Sequence, residues 1–188
     1  MSAKGGGKAH ETQVRFCGFG GQGIVLAAMI FGKAVTLFEG KEAVMTQSYG
    51  PEARGGSCCG DVVVSGQRIR YPRVRVPEVL AIMSEDASRT YGGNTTPDAL
   101  VLINEGLVKT PPSRPGLRVH SIPATRIAEE LGRSFVANIV MLGFVTSASG
   151  LVSREAMQKA VLGTIPAGTE ELNMAAFNRG FEHGASIR

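Results

Sequence analysis

Along the first two thirds of the chain, apolar residues come in short blocks separated by glycine, proline and polar residues. Over the last third they recur at steps of three and four. From Gln13 the sequence reads V-R-F-C-G-F-G-G-Q-G and passes straight into I-V-L-A-A-M-I-F-G-K-A-V-T-L-F. The first part predicts a short strand, the glycines a turn, and the remainder, Gly23–Phe38, a buried helix without a polar face. That order opens a β-α-β unit. Glu42–Gln47 (E-A-V-M-T-Q) predicts the second strand. Ser48–Ser57 (S-Y-G-P-E-A-R-G-G-S) holds three glycines and a proline and can continue neither strand nor helix, so it predicts an extended loop. Asp61–Ser65 (D-V-V-V-S) predicts a strand, and Ser65-Gly66 a turn into Arg68–Tyr71, a hairpin that would make the sheet mixed.

Val79–Met83 and Ala99–Asn104 are continuous apolar runs of the kind buried on both faces in the middle of a parallel sheet. Glu85–Tyr91 predicts a helix between them. Arg118–Ile122 is another strand, stopped by Pro123 and followed by a helix over Ala124–Gly132, with Thr125 as its cap and Gly132 as its end. Val136, Ile139, Val140, Gly143 and Phe144 carry helical spacing through Val136–Ser149. Ser153 opens a further helix with Glu155 in its first turn, and Thr169, Glu170 and Glu171 open the last, where Met174, Phe177 and Phe181 share one face. These elements make a Rossmann-like, three-layer α/β domain with a mixed, mostly parallel sheet and a helical C-terminal portion. With 188 residues the chain is long enough for one such core and too short for two ordinary domains. We expect a flexible, polar, glycine-rich leader over 1–12 and a single domain over 13–188.

Composition narrows the function classes. Hydrophobic content of 43% and charged content of 19% fit a globular domain. The longest apolar run, Gly23–Phe38, is broken by Lys33 and is shorter than the roughly 20 residues of a membrane span. With no apolar signal core at the N-terminus, we expect a cytoplasmic protein without membrane contact. The net charge of +4 is mild, and its densest cluster is Arg68, Arg70, Arg73 and Arg75. Two-residue spacing puts Arg68 and Arg70 on one face of the expected hairpin, as a charged edge that discourages aggregation. With 6% aromatic residues and no basic helix face, nucleic acid is not an expected partner. The three cysteines, Cys17, Cys58 and Cys59, include no C-x-x-C pair. They read as reduced, buried thiols, so a redox centre serving this chain would sit on another.

The glycine turn is the sharpest chemical feature. Gly18, Gly20 and Gly23 match G-x-G-x-x-G between a strand and a helix, where backbone N–H groups and the positive helix end can meet an anion. A nicotinamide site also needs an acid at the end of the second strand, and that strand ends on Thr46 and Gln47. A Walker-type loop is excluded because Ile24 and Val25 stand where Lys and Ser/Thr are required. What remains is an anion or phosphate site, or a turn needed only for close packing of helix on strand. In the loop, Tyr49, Glu52 and Arg54 are large polar groups among glycines. They either supply binding groups from a rigid scaffold or form an internal Glu52–Arg54 ion pair, which on a surface contributes about 0–1 kcal/mol. No catalytic apparatus is legible: His10, His120 and His183 are scattered, and no serine sits in a nucleophile elbow. Asp61 follows Gly60, but Val62 breaks the thiamine-diphosphate pattern. Such a chain reads as part of an enzyme.

Taken together, G-F-G-G-Q-G-I (Gly18–Ile24), S-Y-G-P-E-A-R-G-G (Ser48–Gly56), D-V-V-V-S and A-N-I-V-M-L-G (Ala137–Gly143) resemble the gamma subunit, or gamma domain, of 2-oxoacid:ferredoxin oxidoreductases. The resemblance runs from about Val14 to the C-terminus. Tyr71-Pro72 and P-A-T-R-I-A-E-E-L-G (Pro123–Gly132) are most similar to the 2-oxoglutarate type. It implies a complex in which alpha and beta partner chains hold thiamine diphosphate and Mg2+ and decarboxylate a 2-oxoacid. Electrons then pass to [4Fe-4S] clusters on an iron–sulfur subunit or domain, and coenzyme A takes the acyl group. By the same resemblance the gamma chain helps bind coenzyme A, through Gly20, Gly21, Gln22, Gly23 and Asn138. Tyr49, Glu52 and Arg54 would face partner subunits near the thiamine pocket and help close the active site. Asn138 can also be read as a polar residue satisfied at a helix start. The run G-G-S-C-C-G (Gly55–Gly60) departs from the family's small or polar residues and leaves an aromatic 2-oxoacid (phenylglyoxylate or indolepyruvate) open as substrate. Two readings from other classes stand beside this one: a stand-alone nucleotide- or phosphate-binding regulatory module, and a purely structural subunit.

Overall fold

The computed structural model describes residues 10–49 and 56–187. Strands β1 (Thr12–Phe19), β2 (Glu42–Tyr49), β3 (Ser57–Ser65), β4 (Val79–Ile82), β5 (Leu100–Asn104) and β6 (Arg118–Ile122) form one sheet in the order β2-β3-β1-β4-β5-β6. β1, β4, β5 and β6 run parallel, and β3 is antiparallel to both β1 and β2. The sheet is therefore mixed and mostly parallel, as the apolar runs of β4 and β5 require.

Period-two alternation divides the core between the two faces. Val14 and Phe16 of β1, with Val62 and Val64 of β3, join the larger core cluster under α1 (Ile24–Lys33) and the C-terminal helices. Cys17, Cys59, Leu80, Ile82, Val101 and Ile103 point to the opposite face, which α2 (Glu85–Tyr91) covers through Ala87 and Tyr91. On the larger side lie α3 (Ala124–Glu130), α4 (Ala137–Ser149), α5 (Arg154–Leu162) and α6 (Glu170–Ala185). α4 is buried around its whole circumference from Ala137 to Ser147. It can be, because glycines let α6 lie backbone to backbone against it. A Cβ at Gly180 would strike the Val140 carbonyl, and one at Gly143 would strike the Phe177 carbonyl. No described helix is long and apolar enough to cross a membrane.

β1 and β2 run parallel, in keeping with the β-α-β order, with β3 between them. Four sequence expectations need correction. The expected hairpin onto Arg68–Tyr71 does not form. β3 pairs instead with β2, from Glu42↔Ser65 to Tyr49↔Cys58. Residues 67–78 are irregular, with their backbone donors taken up by side chains: the Glu42 carboxylate accepts from Ile69 N (2.7 Å), and Gln13 Oε1 from Arg75 N (2.7 Å) and Val76 N (3.1 Å). Pro72 and Pro77 cannot donate to a ladder, which favours this arrangement over a strand. Arg68, Arg70, Arg73 and Arg75 are all exposed on it, so they decorate an irregular segment and not a strand edge.

Thr125 is not the cap of α3. Pro123 holds that position without a side-chain bond, and the Thr125 hydroxyl accepts from Asn104 Nδ2 (2.8 Å), tying the helix to the end of β5. The helix expected over Gly23–Phe38 stops being α-helical at Lys33 and widens into a π-helical turn over Ala34–Phe38.

Candidate functional site

Every parallel strand ends at the same edge of the sheet, where α/β proteins collect their ligand-binding loops. The glycine turn follows β1 there, α2 begins after Met83 and Ser84, and α3 follows Pro123. Because β3 is antiparallel, the C-terminal end of β2 and the start of β3 reach the same edge: Tyr49 pairs with Cys58, and Ser57 with Phe19. Gly20 N donates to Gly56 O at 3.3 Å, joining the glycine turn to the far flank of the Tyr49–Gly56 loop. The two most informative sequence features thus meet at one place. Tyr49 is 62% exposed on the edge strand. Glu52 and Arg54 lie outside the described residues, as does the ion pair expected between them.

The turn is shaped by its glycines and locked by two amides. Gly21 has φ 101° and Gly23 φ 71°, the left-handed region that side chains seldom adopt. Gly23 occupies the N-cap of α1 in that conformation. Gln22 closes the turn from inside: its Oε1 accepts from Phe19 N (2.9 Å) and its Nε2 donates to Met83 O (2.9 Å) at the end of β4. The side chain fits because Gly18 has none; a Cβ there would come within 2.6 Å of Ile24 Cδ1 and also meet Gln22. Asn138, buried in the first turn of α4, donates from Nδ2 to Gly23 O at 3.3 Å. A Cβ on Gly23 would collide with that amide.

Gly20, Gly21, Gln22, Gly23 and Asn138 are therefore brought together, but in unequal roles. Gln22 and Asn138 direct their amide groups at the backbone of the turn. What faces outward is backbone: among the described residues, the N–H groups of Gly21, Gly23, Ile24 and Val25 have no acceptor. They open on the positive end of α1, and a Cβ at Gly21 would meet nothing within 4 Å. Several donors at a helix N-terminus, without an acceptor among the described residues, form an arrangement that can hold a phosphate group.

Sequence reasoning missed the polar cluster on the other face. Arg15 and Asp61 sit directly opposite each other on β1 and β3 and pair through two bonds, Nε–Oδ1 and Nη2–Oδ2, each 2.7 Å. Arg15 also lies over the Tyr91 ring, 5.2 Å from its centre. The Cys17 thiol, one step along the same face, donates to Ala81 O at 3.4 Å. Burial pushes the Cys17 thiol well above its usual range, and burial also raises Cys59. Tyr91 is raised by burial and by the neighbouring Cys59. The only signal for this cluster was a charged residue inside each of two apolar runs, which the sequence could not bring into register.

Cys58 and Cys59 belong to β3 and not to the loop, and they point to opposite faces of the sheet, one into each core. Both are buried inside this chain, so their pairing carries no argument for an aromatic substrate.

The family profile of pyruvate ferredoxin/flavodoxin oxidoreductases matches residues 13–183. The 2-oxoglutarate synthase subunit KorC of Methanocaldococcus jannaschii is 46% identical over 92% of this chain and 93% of its own length. Among solved structures, the gamma subunit of a keto/oxoacid ferredoxin oxidoreductase from Geobacter sulfurreducens superposes with a TM-score of 0.84 at 35% identity, covering 93% of this chain and 99% of that one. A 2-oxoglutarate:ferredoxin oxidoreductase from Magnetococcus marinus, solved with 2-oxoglutarate, coenzyme A and succinyl-CoA bound, shares the fold. Its TM-score is 0.84 at 18% identity, over 95% of this chain and 32% of the larger one.

Proposed function

The chain belongs to the pyruvate ferredoxin/flavodoxin oxidoreductase family, and on that footing we propose that its glycine turn holds the pyrophosphate of coenzyme A for a 2-oxoacid oxidoreductase complex. It is the gamma subunit of a 2-oxoacid:ferredoxin oxidoreductase, an enzyme of several subunits. The observation that carries the ligand assignment is the set of amides at Gly21, Gly23, Ile24 and Val25, at the N-terminus of α1, that have no acceptor among the described residues. Oriented N–H groups and the helix dipole both favour negative charge, which supports a diphosphate at this place. Gln22 and Asn138 act one layer behind: they fix the direction of those N–H groups by holding Phe19, Met83 and Gly23.

Coenzyme A, when bound, supplies the thiol that takes the acyl group, while thiamine diphosphate with Mg2+ on alpha and beta chains supplies the decarboxylation chemistry. Among the described residues no cluster of three or more His, Cys, Asp or Glu could ligate a metal. On the strength of the family, our reading assigns Mg2+ and the [4Fe-4S] clusters to the partner chains. Tyr49, exposed at the end of the edge strand, and the neighbouring Glu52 and Arg54 would face those partners and help exclude water from the reaction centre. Relatives 46% and 42% identical carry the name 2-oxoglutarate synthase subunit KorC, and on that support we assign 2-oxoglutarate as the substrate of this complex. We place the complex in the cytoplasm, with residues 13–188 as its single gamma-type domain.

The test is reconstitution. The complex purified with this chain is expected to reduce ferredoxin with 2-oxoglutarate, dependent on coenzyme A and in preference to pyruvate, phenylglyoxylate or indolepyruvate. The chain alone should be inactive. A stable, monodisperse chain that joins no thiamine-binding partner and binds a nucleotide tightly would replace this function with that of a regulatory module.

A further inference from the structure

We propose that Cys17 and Cys59 are a modification site: a pair of thiols that a small oxidant joins into a reversible cross-strand disulfide. The two residues are directly opposite in the antiparallel ladder of β1 and β3. Their pairing class follows from the backbone. Cys17 O accepts from Met83 N (2.8 Å) on the β4 side, so its polar backbone groups point away from β3. Across an antiparallel ladder that makes Cys17↔Cys59 a non-hydrogen-bonded pair, the class with Cα atoms about 4.5 Å apart and side chains closest together. Disulfides require Cα separations of about 4.4–6.8 Å. The spacing of that pairing class falls inside this range.

Three further observations support the assignment. Both thiols are free, and both belong to the same small core on the α2 face. In the preceding pair of the same row, Arg15↔Asp61, the side chains already meet at 2.7 Å, so this face of the ladder brings opposite side chains into direct contact. Cys58, although next to Cys59, packs into the other core and has no access to either thiol.

The step balances with a peroxide as oxidant. One thiol gives up its proton and attacks hydrogen peroxide; a sulfenic acid forms, and the expelled hydroxide takes that proton and leaves as one water. The second thiol then attacks that sulfur, expelling a second water and forming the S–S bond. Two S–H bonds are lost, and the two electrons reduce the O–O bond. Because Cys17 is 0% and Cys59 3% exposed, the oxidant has to be small, and a bulky disulfide such as oxidised glutathione cannot reach them. Opposite Cβ atoms stand about 4.5–5.5 Å apart, whereas a disulfide draws them to about 3.8 Å. The bond would pull β1 and β3 together immediately before Gly18 and the glycine turn. Such a strained bond belongs to the readily reduced class.

Peptide mapping of the native, full-length protein tests this. After exposure to hydrogen peroxide, free thiols are alkylated in denaturant and the protein is digested without reductant. The expected product is one peptide pair linked through Cys17 and Cys59, with Cys58 alkylated, and it disappears on treatment with dithiothreitol. Cys58→Ser should leave the link intact, while Cys59→Ser should remove it. The proposal is overturned if both thiols stay free, if either proceeds to sulfinic acid without linkage, or if the link involves Cys58 or a second copy of the chain. The mapping of the unaltered protein decides the matter even where a cysteine variant folds poorly.

Discussion

The side-chain amide of Asn138, in the first turn of α4, donates to the carbonyl of Gly23, the N-cap of α1, at 3.3 Å and across 115 positions of sequence. The glycine turn is thereby fixed to the helix at the centre of the larger core. Gly23→Ala should destabilise the protein by about 2–4 kcal/mol, combining left-handed backbone strain with a collision at Asn138. Adding Asn138→Ala to Gly23→Ala should recover part of this loss, because the collision disappears while the strain stays. Urea unfolding of the parent and the two variants measures both.

Gln22 holds the turn from the opposite side, between Phe19 N and Met83 O. Gln22→Leu removes both bonds and leaves two backbone groups unpaired, at a cost of about 1–3 kcal/mol for each that stays dry. We expect a lower melting temperature and a KM for coenzyme A raised several-fold, with kcat at saturating coenzyme A little changed. An unchanged KM alongside the stability loss would confine Gln22 to folding.

Arg15 and Asp61 form a buried, doubly bonded ion pair. Removing one partner from such a pair strands a buried charge and typically costs about 3–5 kcal/mol, whereas replacing both with apolar residues is often neutral. Asp61→Asn is therefore expected to be strongly destabilising. The double variant Arg15→Met/Asp61→Leu should be far closer to the parent than the single change, as read by chemical denaturation.

The same face gives stability a dependence on alkaline pH. Cys17 and Cys59 are pushed upward in the folded protein, chiefly by burial, from an ordinary 9.0. Above pH 9 the unfolded chain loses these protons while the folded chain keeps them, so the unfolded state binds fewer protons and stability falls as pH rises. This contribution is intact below about pH 9 and declines above it. Melting temperatures measured from neutral pH to about pH 10.5 should fall less steeply for Cys17→Ala than for the parent.

Most of the sheet was legible because its strands are apolar runs punctuated by glycine and proline, and β4, α2, β5, β6 and α6 lie close to where that pattern puts them. The hairpin failed for a reason local pattern does not contain: R-I-R-Y-P-R-V-R has strand-like alternation, but β2 had already taken the place beside β3. The glycine turn was legible from its spacing alone as the junction between a strand and a helix. Its supports were not, since Gln22 reaches Met83 and Asn138 reaches Gly23 only once distant segments are packed. The pairing of Arg15 with Asp61, and of Cys17 with Cys59, depends on register, which two runs of sequence do not disclose separately.

The most direct test of the coenzyme A assignment compares Gly21→Asp with Gly21→Ala in the assembled complex. Gly21 stands at φ 101°, where a Cβ meets nothing within 4 Å among the described residues, so the two substitutions differ chiefly in the carboxylate. The KM for coenzyme A should rise about tenfold or more in Gly21→Asp, equivalent to about 1.4 kcal/mol, and change little in Gly21→Ala, with the KM for the 2-oxoacid unaffected in both. Equal coenzyme A affinity in the two intact complexes would contradict the assignment and leave the glycine turn a packing device.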